Sequence, residues 1–140
     1  MTENDKKVYV VQIEEETKNN TNFRTTLWTG EHTQLTVMSI PVGSEIGLEV
    51  HGNVDQFLRV EAGAAELLTG ESRESVEKTA ELQPDTATLI PAGTWHNVKN
   101  IGDSDLKVYS LYSPAEHAPG TIHKTKEEAD AAEAGERGEA

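Results

Sequence analysis

Gly43 to Gly63, GSEIGLEVHGNVDQFLRVEAG, and Asp85 to Asn100, DTATLIPAGTWHNVKN, decide the reading of this sequence. In the first stretch Glu49 and His51 stand two residues apart in a β-rich run, so both side chains point to one face of a strand. Gly52-Asn53-Val54-Asp55 is turn chemistry, and Gln56 opens a second strand whose Leu58 and Val60 share its face. In the second stretch Pro91-Ala92-Gly93 makes a turn, and His96 starts the strand that leaves it. If these hairpins face each other inside a barrel, one carboxylate, two imidazoles and one amide converge on a point. Such a set holds one divalent metal with positions left open for water or substrate.

The spacing resembles the two motifs of the cupins. Their first motif runs Gly, five residues, His, one residue, His, three or four residues, Glu, six residues, Gly; Gly43, Glu49, His51, Gln56 and Gly63 stand at those positions. Glu49 replaces the usual first His, and Gln56 the usual Glu. The second motif runs Gly, five residues, Pro, one residue, Gly, two residues, His, three residues, Asn; Asp85, Pro91, Gly93, His96 and Asn100 fit it, with Asp in place of the leading Gly. The resemblance covers about residues 23 to 115. It implies an all-β fold, a cupin jelly roll or double-stranded β-helix barrel, and metal ligation by Glu49, His51, Gln56 and His96. It also implies a homodimer, because cupins commonly pair through N-terminal strands. Cupins carry many chemistries, so the fold alone does not choose a function.

A chain of 140 residues is one domain, long enough for a real core. No apolar stretch approaches the ~20 residues of a membrane span, and MTENDKKVYV lacks the apolar segment of a signal peptide. The absence of cysteine excludes disulfides and thiolate chemistry and fits a cytoplasmic setting. A net charge of -13 argues against nucleic acid and anionic membranes as partners. A small-molecule ligand or substrate is the expected partner.

Outward from the motifs, Val8 to Ile13 reads as a first strand ended by Glu14-Glu15-Glu16, and Lys18 to Asn22 as a loop. Phe23 to Trp28 and Gln34 to Pro41 read as strands by their Thr, aromatic and β-branched content. Ala64 to Thr69 continues the sheet, Gly70 to Ala80 reads as a polar loop or hairpin tip, Ala87 to Ile90 is a strand, and Leu106 to Tyr112 is the last strong one. Thr125-Lys126-Glu127-Glu128 has the form of a capping box, so Lys126 to Ala134 is expected to be a short helix and Gly135 to Ala140 disordered. The chain thus divides into an N-terminal strand and loop (1–22), the barrel (23–115), and a turn, short helix and disordered acidic tail (116–140).

Each candidate has a plainer alternative. A buried histidine is more often a satisfied core residue than a ligand, but the coincidence of both motifs favours ligation by His51 and His96. Glu49 shares a face with His51, and a metal would offset the cost of burying its charge. Gln56 either ligates through its amide oxygen or hydrogen-bonds a bound water. His32, His117 and His123 read as surface or loop residues, with a tail folded over the barrel mouth as the other possibility for His117 and His123. Alternation along the strand turns Trp95 away from the face of His96.

Two histidines, a carboxylate and an amide suit one divalent Fe, Mn, Ni, Co or Zn, and two His with one carboxylate is also the composition of non-haem iron oxygenase sites. The functional expectation is a small metalloenzyme acting on a small polar organic molecule, of isomerase, lyase or dioxygenase type. The alternative is a non-catalytic barrel that binds a sugar-like ligand, or a decayed pocket. No general base or other catalytic residue is identifiable from the sequence.

Overall fold

In a computed structural model describing residues 2–136, the chain runs α1 (Ile13–Asn19), β1 (Arg24–Thr29), β2 (Gln34–Ile40), β3 (Asp55–Ala62), β4 (Ala65–Gly70), β5 (Glu77–Leu82), β6 (Ala87–Ile90), β7 (Trp95–Asn100), β8 (Leu106–Ser113), β9 (Ile122–His123) and α2 (Lys126–Glu136). A six-stranded sheet has the order β6-β3-β8-β2-β1-β9, and a three-stranded sheet the order β5-β4-β7. Every pairing is antiparallel. The two sheets close over one core as a jelly roll, the all-β fold expected from the sequence.

Period-two alternation decides which side chains enter that core. Along β8, Leu106, Val108, Ser110 and Tyr112 are buried while their neighbours are less so, and along β3 Gln56, Leu58 and Val60 point the same way. Direct pairing places Gln56 opposite Tyr112, Leu58 opposite Ser110 and Val60 opposite Val108, so one face grades from apolar at one end to polar at the other. Met38, Ile40, Leu67, Leu82, Val98 and Leu106 fill the apolar end. The polar end is where the two motif stretches meet.

The N-terminal strand expected over Val8 to Ile13 is absent. Val8 and Val10 are 94% and 88% exposed, with no neighbouring strand to pair, and a helix begins at Ile13. Glu14, Glu15 and Glu16 occupy its first turn and Lys18 its last, which suits the helix dipole, and Lys18 Nζ reaches Glu14 Oε1 at 2.7 Å. The polar stretch expected to be a loop over Gly70 to Ala80 instead contains a short 3₁₀ turn, Arg73–Ser75, and the start of β5. That strand lies at a sheet edge with most of its residues exposed, so its sequence shows charge rather than alternation. Half of the expected capping box is present: the Glu128 amide donates to Thr125 Oγ1 at 3.1 Å, whereas Glu128 Oε2 accepts at 2.7 Å from the amide of Lys124, one residue before the cap. Gly135 and Glu136 continue α2, and the rest of the expected disordered tail lies outside the described residues.

After β8 the chain crosses the end of the barrel as a strap. Gln34, fully buried on β2, holds it: its amide oxygen accepts from the backbone N–H of Glu116 and His117, and its amide nitrogen donates to the His117 carbonyl at 2.7 Å. The strap then pairs as β9 with β1, and Ala129 of α2 joins the core. No described helix is long and apolar enough to cross a membrane.

Candidate metal centre

Glu49 and His51 lie on an extended segment rather than in a continuous strand. Gly47, at φ 114°, interrupts the pairing, and the segment is tied to β7 by isolated bridges at Glu45–Lys99 and Glu49–His96. The second bridge is reciprocal: the Glu49 N–H donates to the His96 carbonyl at 3.0 Å, and the His96 N–H to the Glu49 carbonyl at 2.9 Å. Gly93 N–H, in the turn of the second motif, donates to the His51 carbonyl at 2.8 Å. The two motif stretches are therefore fastened together by backbone at the point where their side chains converge.

One ligand atom each from Glu49, His51 and His96 lies within 4.8 Å of the other two. Glu49 Oε1 lies 3.6 Å from His51 Nε2 and 3.7 Å from His96 Nε2, too far for hydrogen bonds. Both Nε2 atoms are buried without a hydrogen-bond partner. The other nitrogen of each ring is engaged: His96 Nδ1 lies 2.9 Å from the Thr94 carbonyl, and His51 Nδ1 3.2 Å from Glu116 Oε1. With Nδ1 of each ring engaged on its outer side, the two Nε2 atoms face Glu49, the orientation of metal-bound imidazoles.

Gln56, at the polar end of β3, is linked to this cluster through Tyr112, whose hydroxyl lies 3.5 Å from Gln56 Nε2 and whose ring contacts His51. Its Nε2 donates to Ser110 Oγ at 3.1 Å, leaving Oε1 buried and without a partner. The amide thus presents the atom a ligand would need. Burying orphaned polar atoms is costly, and in native proteins they mark an ion, a water or a functional site. The donors present, nitrogen and oxygen without sulfur, fit a divalent ion.

The electrostatics match this layout. Burial would raise the Glu49 carboxyl, yet His51 and His96 hold it well below the usual carboxylate range. Burial would lower His51, but Glu116 and Glu49 together push it up to about 10. His117 goes the other way: burial, reinforced by Arg24, lowers it to about 3, so its imidazole is neutral. Burial raises the Tyr112 phenol. The four rings stand in sequence, with centroids 5.2 Å apart for His96 (β7) and His51, 5.8 Å for His51 and Tyr112 (β8), and 5.2 Å for Tyr112 and His117.

A cavity of about 680 Å³ opens onto Glu49 and His51. Its walls include Arg73, Trp95 and Glu116, and α2 lays Lys126, Asp130 and Glu133 along it. Trp95 therefore does border the cavity, contrary to the expectation from alternation. It stands at the first residue of β7, where the strand ends at the barrel rim, and the Arg73 guanidinium lies 5.2 Å from its ring. The strap likewise brings His117 beside the site, the less favoured of the two sequence readings, and pairs His123 Nδ1 with Arg24 at 3.2 Å. Glu116 and Arg24 escaped sequence reasoning. Nothing in the local pattern marks them, since each owes its place to a contact distant in the chain.

Known proteins share this build. The chain is 50% identical over 127 residues to YrkC of Bacillus subtilis (strain 168), spanning 91% of this chain and 68% of that protein. It is 41% identical over 123 residues to L612 of Acanthamoeba polyphaga mimivirus, spanning 87% of this chain and 75% of that protein. The crystal structure of BH2720 from Bacillus halodurans superposes with a TM-score of 0.86 at 53% identity, covering 88% of this chain and 93% of that one. Residues 36–112, from β2 to β8, match the family described as the Cupin domain. Motifs, barrel and relatives agree, and the chain belongs to the cupin family.

Proposed function

We propose that this cupin is a metalloenzyme in which Glu49, His51 and His96, with Gln56 as a fourth donor, hold one divalent ion against a small polar organic substrate. One observation carries the reading: two buried imidazole Nε2 atoms, both without partners, face one carboxylate, with a ligand atom of each residue within 4.8 Å of the others. Packing alone gives no reason to bury three such groups together. A bound Fe, Mn, Ni, Co or Zn would supply Lewis acidity there, polarising a carbonyl or lowering the pKa of water.

The chain's own residues support that chemistry. Glu116 keeps a proton on His51 Nδ1 and so directs Nε2 inward. It also borders the cavity, which makes it a candidate to exchange a proton with substrate, the role no residue of the two motifs fills. Helix α2 borders the cavity with Lys126 and Asp130, themselves paired at 2.7 Å. The cavity's size is that of small-molecule sites. Isomerase, lyase or dioxygenase chemistry are the reaction types proposed.

The test is metal content by ICP mass spectrometry on tag-free protein beside a His51→Ala/His96→Ala variant. Near-stoichiometric metal that disappears in the variant supports the reading, and the metal's identity separates redox from Lewis-acid chemistry. If added Fe, Mn, Ni, Co and Zn all fail to bind the wild type, the reading is wrong.

A further inference from the structure

Among the described residues, eight buried side-chain atoms lack a hydrogen-bond partner. Three of them, on His51, His96 and Gln56, belong to the metal centre, and Arg59 Nε lies 3.0 Å from Glu61 in an ion pair elsewhere. The remaining four are Arg24 Nε, Thr26 Oγ1, Thr36 Oγ1 and His117 Nε2. The metal centre does not account for them.

The strand register places them together. Thr26 on β1 pairs directly with Thr36 on β2, and Arg24 lies two residues from Thr26, hence on the same face. Thr36 is opposite Ser110, and Ser110 is the residue that accepts from Gln56. The Tyr112 hydroxyl stands beside Thr36, and the Tyr112 ring contacts both His51 and His117. These residues therefore line the barrel interior next to the metal centre. Arg24 is 1% exposed; its Nη1 meets His123 at 3.2 Å and lies 3.8 Å from Glu133, which leaves the Nε edge of the guanidinium inside the barrel.

The guanidinium N–H can only donate, and the two hydroxyls and the neutral imidazole, which can donate or accept, can turn donors toward an acceptor placed beside it. A buried cation in this position would be repelled, and an apolar group would leave every donor unmet. A carboxylate, with two oxygens and about four lone-pair directions, meets a guanidinium and flanking hydroxyls at once.

We infer that Arg24, Thr26, Thr36 and His117 form a carboxylate subsite beside the metal centre, and that the substrate is a small organic acid. Its carboxylate meets Arg24 and the two threonines, and a second oxygen faces Glu49, His51 and His96. This deepens the metalloenzyme reading and rests on it for the second contact only.

The test is calorimetric titration of acetate, malonate, succinate, neutral malonamide and inorganic phosphate into metal-loaded protein and into chelator-treated protein. The variants are Arg24→Gln and Thr26→Val/Thr36→Val. The second removes both hydroxyls without changing shape or β preference, so it folds even where Arg24→Gln does not. At least one of the acids should bind, and malonamide should not. The threonine variant should keep the wild-type metal content and bind the acid at least 10-fold more weakly. The inference is overturned if none of the acids binds, if malonamide binds as well as malonate, if phosphate outcompetes every acid, or if the threonine variant binds the acid unchanged. Failure of the metal reading is distinguishable. A wild type without metal that still binds an acid through the two threonines retains the subsite and loses only the second contact.

Discussion

His51 Nδ1 and Glu116 Oε1 are 3.2 Å apart, a contact between the first motif and a strap far beyond it in the chain. A carboxylate behind a ligating histidine fixes its tautomer and ring orientation and raises its basicity, and such partners are typically worth 10–100-fold in metal affinity. Glu116→Gln should therefore weaken divalent metal binding by about 10-fold while leaving the fold intact. Competition against a chromophoric chelator measures this; unchanged affinity would remove Glu116 from the centre.

The same contact predicts a proton count. Glu116 and Glu49 outweigh burial and push His51 up to about 10, so the metal-free imidazole is charged at neutral pH. A metal at Nε2 must displace that proton. Binding at pH 8 should release about one proton, and affinity should rise with pH up to about 10. Calorimetry in buffers of different ionisation enthalpy gives the number. A His51→Ala variant that binds metal with the same release would assign the proton elsewhere.

His117 makes the metal-free protein sensitive to acid. Burial, with Arg24 behind it, lowers this imidazole to about 3, whereas in the unfolded chain it titrates near 6.5. Between these values the unfolded state binds a proton that the native state refuses. The stability associated with neutral His117 is thus present above 6.5 and is lost as pH falls towards 3, at up to about 1.4 kcal/mol per pH unit. Denaturant melts of chelated protein from pH 7 to pH 4 should show this slope, and His117→Gln should flatten it. A slope unchanged in the variant would place the acid sensitivity in other groups.

Asp85 occupies a position where the second motif has glycine, and it adopts φ 72°. Aspartate tolerates this left-handed conformation better than most residues, and here its carboxylate also accepts from Arg59 Nη2 at 2.7 Å. Asp85→Ala should be less stable than Asp85→Gly by about 1 kcal/mol, since only the alanine retains a Cβ in that conformation. Equal melting midpoints would show that the turn relaxes to a negative φ.

The convergence of Glu49, His51 and His96 was legible because its logic is local. Two residues of spacing put Glu49 and His51 on one face, a Pro-Ala-Gly turn delivers His96, and Gln56 enters a strand whose alternation is clean. The strap was not legible because its position is set by Gln34, whose side chain pairs with backbone as a strand would; a buried glutamine in mid-strand carries no signal of what it will hold. Val8 to Val11 misled for the opposite reason. Its β-branched run has the composition of a strand but finds no strand partner, and the three glutamates after it start a helix. β5 hid behind charges that suit an exposed edge.

The family match ends at residue 112, and Glu116, His117, β9 and α2 all follow it. The stretch that defines membership thus supplies the proposed ligands but only part of the wall around them. Two barrels could agree at every position of that stretch and still greet different molecules, one with a carboxylate behind its histidine and a helix across its mouth, the other open. Sorting such proteins by substrate calls for comparing what comes after the last strand of the match, where selectivity can be rewritten without touching the centre itself.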